Sequence, residues 1–96
     1  MILSGKQKRY LRALGSKEKA IIMIGKENIS DTLIESVQHA FNTHELLKVS
    51  LLKSCEITVH EAAIELSAAT GAAIVQEIGH TLLLYKPFKE RAIKLP

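Results

Sequence analysis

At 96 residues, 47% of them apolar, the chain is a single domain with enough greasy surface for one core, and 24% charge argues against disorder. The longest unbroken apolar run, residues 20–24, is far short of the ~18 residues a membrane span needs, and Gly5-Lys6-Gln7-Lys8-Arg9 leaves no room for a signal-peptide core. Cys55 is the one cysteine, so no internal disulfide is expected; a reducing cytoplasm is the simplest setting, with Cys55 a small structural residue rather than a nucleophile.

The net charge is only +3, but it is unevenly spread. Residues 1–26 carry seven basic side chains against one acidic, residues 27–84 two against eight, and residues 85–96 four against one. Basic ends around an acidic middle suit a surface that faces a polyanion, provided that the two ends fold onto the same side.

Taken in order, residues 4–15 read as a helix with Ser4 as N-cap and Gly15 as the C′ residue. Leu3, Tyr10, Leu11 and Leu14 share its apolar face, and Lys8, Arg9 and Arg12 lie opposite. That basic face suits phosphates, an anionic membrane or plain solvent. Residues 20–24 read as a strand covered on both faces or central in a sheet. The loop Gly25-Lys26-Glu27-Asn28 leads to Ser30, which caps a helix reaching about residue 43, with Leu33, Val37, Ala40 and Phe41 as its buried stripe. Unpaired amides and the helix dipole favour an anion at this junction, Gly25 permits close backbone approach, and Lys26 adds a full charge. The plainer reading is a simple turn with one solvated lysine, because a single Gly-Lys pair is a weak motif.

Leu47-Lys48-Val49-Ser50-Leu51 alternates as a strand with one face on the core. Thr58 and Glu61 form a capping-box pattern opening a helix that Gly71 stops, and its alanines imply close packing on a sheet. Residues 73–78 and 81–85 read as a hairpin whose Gly79-His80 loop fits a type II′ turn. Pro87 ends strand pairing, and residues 87–96 are expected as a basic, frayed tail outside a domain of residues 1–86. The order α-β-α-β-α-β-β defines an α/β domain. No catalytic motif is visible: His60-Glu61 lacks the second histidine of a zinc-protease helix, and no phosphate-binding glycine loop or dinucleotide fingerprint occurs. No catalytic residue, metal, cofactor or small-molecule substrate is therefore expected.

With the elements placed, the chain resembles the CRM domain (chloroplast RNA splicing and ribosome maturation) in its free-standing bacterial YhbY-like form. The matching stretches are residues 3–12, Ile24-Gly25-Lys26, Ile29-Ser30-Asp31, His44-Glu45-Leu46-Leu47-Lys48-Val49 and residues 75–86. The resemblance implies a compact domain with a four-stranded mixed sheet and packed helices, similar to the C-terminal domain of translation initiation factor three. It also implies RNA binding, and in bacteria association with precursors of the large ribosomal subunit. The family's Gly-x-x-Gly loop corresponds to Gly25-Lys26-Glu27-Asn28, in which Asn28 reaches left-handed backbone while Glu27 opposes phosphate. The RNA-contacting residues so implied are Gly25, Lys26 and Asn28, with Lys6, Lys8, Arg9, Arg12, Lys86 and Lys89 extending the electrostatic track. Few aromatics, with Tyr10 and Tyr85 read as half-buried, point to backbone and shape recognition. Alternatives are a protein-interaction module that docks on an acidic partner through the basic first helix, and an anionic-membrane surface protein.

Overall fold

The computed structural model describes residues 2–96. Its elements are α1 (Gly5–Gly15), β1 (Ile22–Ile24), α2 (Asp31–Ala40), β2 (Leu46–Leu51), α3 (Val59–Thr70), β3 (Ala73–Ile78) and β4 (Thr81–Tyr85), in the expected order. One mixed sheet runs β1-β2-β4-β3, with β1 parallel to β2 and the other pairs antiparallel. Strand alternation sends Leu47, Val49, Leu82 and Leu84 to α2 and α3, and Leu46, Leu83 and Tyr85 to α1 on the other face. The sheet is thus the middle of three layers, and β2 feeds both cores rather than one.

The helix starts follow the capping chemistry. Ser4 and Gln7 form a capping box at α1, as do Thr58 and Glu61 at α3, while Ser30 Oγ accepts from the Leu33 amide at α2. Gly71, at φ +78°, closes α3 as expected. In the hairpin, Gly79 has φ +57° and His80 does not share the positive φ, as a II′ turn requires.

Several expectations are corrected. β1 is a three-residue edge strand paired with β2 alone; Ile21 and Met23 remain 50% and 54% exposed. Gly15 is not a left-handed cap: Ser16 caps α1 in right-handed conformation, and a Cβ on Gly15 would lie 2.5 Å from Leu83 Cδ2. Its role is close approach of helix to sheet. α2 ends at Ala40 rather than 43, its last carbonyls taken up by turns through His44. Tyr10, expected on the buried face, is 41% exposed, whereas Tyr85 is wholly buried rather than half-buried.

Nor is the C-terminal segment frayed. Glu45, 4% exposed, accepts hydrogen bonds from the amides of Phe88 (Oε2, 2.8 Å) and Ile93 (Oε1, 2.6 Å), and its own carbonyl accepts from the Lys86 amide. Ile93 and Leu95 then pack against the Leu3, Leu11 and Tyr85 cluster, and Gln7 Nε2 donates to the Pro96 carbonyl at 3.4 Å. The two basic ends of the chain therefore lie side by side.

Glu45→Ala is expected to cost about 2–4 kcal/mol, the scale of two charge-assisted bonds, and to free residues 88–96. Limited trypsinolysis followed by mass spectrometry should then show cleavage after Lys89 and Arg91 in an otherwise intact domain; equal resistance to wild type would refute the clasp. Tyr85 Oη is buried without a hydrogen-bond partner. Burial raises its phenol above the ordinary 10.0, the Glu45 carboxylate adds to the rise, and Arg91 opposes it. The unfolded chain then loses this proton first as pH climbs. The stability tied to the neutral phenol is complete below the ordinary value and is lost as pH rises through the folded-state value. Tyr85→Phe should hold or gain stability, by up to about 1–2 kcal/mol, and flatten the alkaline loss in unfolding measured across pH.

Candidate nucleic-acid interface

At the C-terminal ends of β1 and β2 the chain makes two adjoining loops. Gly25-Lys26-Glu27-Asn28 is a closed turn: the Asn28 amide donates to the Gly25 carbonyl at 3.0 Å, and Asn28 takes the left-handed φ of +54°. Its side chain does not crowd the outer face of the turn. Oδ1 is directed at the second loop, accepting from the Glu56 amide at 2.9 Å and approaching Cys55 Sγ at 3.5 Å. The Leu52 amide donates to the Ile24 carbonyl and completes the tie between the loops. Lys26 and Glu27 are left exposed at the tip, one charge of each sign. Gly25 is without positive φ, and a Cβ there would sit 3.6 Å from Ser54 Oγ, an ordinary contact. Nothing inside the chain demands glycine at this position.

The N-terminus of α2 follows. Ser30 satisfies one of its free amides, and exposed Asp31 offsets part of the dipole, so Lys26 is the cation of this junction.

The remaining sequence-predicted residues form a second group. Lys6, Lys8, Arg9 and Arg12 are exposed on α1. Lys86 and Lys89 lie on the segment that Glu45 holds beside that helix. Seven residue steps along β2 separate Glu45 from Leu52, so the strap and Lys26 lie at opposite ends of the sheet, roughly 23 Å apart at ~3.3 Å per residue, while the last turn of α1, with Arg12, reaches the Leu83 row between them. The structure joins α1 to the C-terminal segment but does not bring either beside Lys26. Among the described residues the one side-chain ion pair joins His60 Nδ1 to Glu77 Oε1 at 2.8 Å, so none of these lysines and arginines is engaged by a carboxylate.

Two cations escaped the sequence reading. Lys53 stands in the loop tied to Asn28, and Lys48 is half-buried on the α1 face of β2. Lys48 was legible as an outward position of an alternating strand; Lys53 carried no signal. A cleft of about 360 Å³ lies between the 51–59 segment and the Gly79-His80 turn, lined by Leu52, Lys53, Cys55, Ile57 and His80 among others. Cys55 bonds Asn28 and the Ile57 carbonyl there, not His80. Among the described residues no three His, Cys, Asp or Glu side chains gather as a metal site, and no helix is long and apolar enough to cross a membrane.

This is a single α/β domain whose lysines and arginines lie on loops, on α1 and, at Lys48, on β2, free of internal carboxylate partners among the described residues. Residues 3–86 match the CRS1 / YhbY (CRM) domain, and the chain belongs to that family. It is 38% identical over 96 residues to the Bacillus subtilis protein named "Probable RNA-binding protein YqeI", covering 99% of this chain and all of that one. It is 35% identical to a Haemophilus influenzae protein named "RNA-binding protein", over 98% of this chain and 95% of that one. The solution structure of Staphylococcus aureus SAV1595 superposes with a TM-score of 0.83 at 36% identity, covering 99% of this chain and 100% of that one.

Asn28 supplies both a positive φ and a bridge between loops. Asn28→Ala is expected to lower stability by about 1–3 kcal/mol through strain and lost hydrogen bonds, and Asn28→Gly by less, because glycine relieves the strain alone. Urea unfolding of the pair measures the difference; equal losses would mean that the left-handed backbone contributes nothing.

Proposed function

We propose that this chain is a non-catalytic RNA-binding protein that docks on structured ribosomal RNA during maturation of the large ribosomal subunit in the cytoplasm. The observation that carries the reading is the Gly25–Asn28 turn, closed, tied to its neighbour loop and presenting Lys26 with no carboxylate partner. The names of the relatives support RNA as the partner. In this reading Gly25 admits a backbone phosphate against the turn, Lys26 pairs with it, and Asn28 holds the turn in shape. Lys6, Lys8, Arg9 and Arg12 on α1, with Lys86 and Lys89, contact phosphates elsewhere on the same RNA. Residues 1–86 are the binding unit, and residues 87–96 act as a basic strap. Tyr85 is buried and Tyr10 is the one partly exposed tyrosine, so recognition runs through backbone and shape rather than stacking.

On a sucrose gradient of lysate, the tagged protein should migrate with large-subunit precursors at low salt and be released at high salt. Lys26→Glu combined with Arg9→Glu should weaken RNA binding by about tenfold or more, each lost phosphate contact also flattening the salt slope by about 1. Salt-insensitive association, or affinity unchanged by the double variant, would defeat the proposal; capture that survives nuclease treatment would favour an acidic protein partner.

A further inference from the structure

α1 covers only part of its face of the sheet. The face consists of three cross-strand rows. In the lowest, Leu46, Tyr85 and Ala73 stand in register, and Leu3, Leu11 and the C-terminal strap cover them. In the next, Lys48, Leu83 and Gln76 are aligned; Gly15 rests on Leu83, and Lys48 and Gln76 are half-buried on either side. The third row, Met23-Ser50-Thr81-Ile78, crosses all four strands with no helix above it. Met23 is 54% and Ile78 60% exposed at its two ends, and Ser50 and Thr81 are half-buried between them. Glu77 is the one acidic residue on any strand, and it turns to the opposite face, where its Oε1 accepts from His60.

We infer that this open strip is a contact surface for a single-stranded segment of RNA; the inference rests on the RNA-binding reading above and extends it to residues outside the loop and helix. Three features select RNA. The strip carries no carboxylate, Ser50 and Thr81 bring hydroxyl donors to it, and the half-buried Lys48 and Gln76 of the neighbouring row add a cation and an amide at its border. Met23 and Ile78 offer flat aliphatic contact to base faces. The strip also lies between the two cationic groups: the last turn of α1, with Arg12, borders it below, and Lys26 stands two residues beyond Ile24 at its upper edge. A strand that reaches from α1 to Lys26 on this face crosses it.

The test uses the whole chain with ¹³C-methyl methionine, in which Met23 is one of two methionines. It is titrated with an oligouridylate and with a fully paired RNA hairpin, while amide shifts are followed in parallel. The oligouridylate should move the Met23 methyl and the Ser50 and Thr81 amides more than the hairpin does. Ser50→Glu and Thr81→Glu should each weaken oligouridylate binding about tenfold, with thermal unfolding as the check of fold. Should either variant unfold, the methyl and amide shifts of the unsubstituted chain decide alone. If the Met23 methyl stays still while Lys26→Glu still weakens binding, the strip is not used and the RNA reading stands. If the unsubstituted chain binds neither RNA, both fail.

Discussion

From Leu82 to Tyr85, β4 has no solvent face, and the rest of the fold answers to that. Leu82, Leu83, Leu84 and Tyr85 are all buried, the even-numbered pair member of each couple facing α2 and α3 and the odd facing α1. Burying a leucine fully is worth about 1.5–3 kcal/mol, so three in a row followed by a buried tyrosine make covering both faces the dominant requirement. α1 must then approach closely over Leu83, which is why a glycine stands where the helix meets the sheet. The end of the sheet beyond the first turns of α1 also needs a cover, and the C-terminal strap with Ile93 and Leu95 supplies it. Glu45 is the buried charge that this cover requires, since two strap amides have no strand to pair with and the carboxylate takes both.

The same requirement fixes where the surface stays open. An eleven-residue helix is about 16 Å long and, seated over the buried rows, cannot also cover the third. The uncovered row therefore follows from helix length and from the point at which Gly15 meets Leu83. The charges follow as well: α1 and the strap bring the two basic ends of the chain together, and half of the acidic middle, Asp31, Glu35, Glu61 and Glu65, is exposed on α2 and α3.

Much of this was legible. The capping residues Ser4, Ser30 and Thr58, the stop at Gly71 and the Gly79 turn all act locally, and local chemistry survives in the sequence. The family's loop was legible in the same way, down to the left-handed Asn28. What failed depends on distant partners. The run of apolar residues at 20–24 describes hydrophobicity, not the number of neighbouring strands, so an edge looked like a centre. Gly15 as a spacer requires Leu83, which is 68 positions away. The strap was hidden because a glutamate ahead of a strand carries no sign that its acceptors will meet amides of residues 88 and 93. The proximity of Lys53 to the 25–28 turn likewise rests on long-range bonds, from the Leu52 amide to the Ile24 carbonyl and from the Glu56 amide to Asn28.

That bond bears on how the loop can act. A glycine at position 28 would supply the positive φ and leave a smoother turn, but it would leave the Glu56 amide without this partner and the two loops held only by backbone, through the Leu52–Ile24 bond. Asparagine fixes their relative position at the cost of a side chain, and it keeps that side chain on the protein side. The tip is then left with Lys26 and Glu27, whose charges nearly cancel at any distance much greater than their separation. One exposed ion pair contributes about 0.2–1 kcal/mol, too little to hold a large polyanion. A loop of this composition can position a phosphate but cannot supply the affinity. On the RNA-binding reading proposed above, most of the binding energy then comes from contacts along α1, the strap and the sheet face, with the loop setting the register at one end.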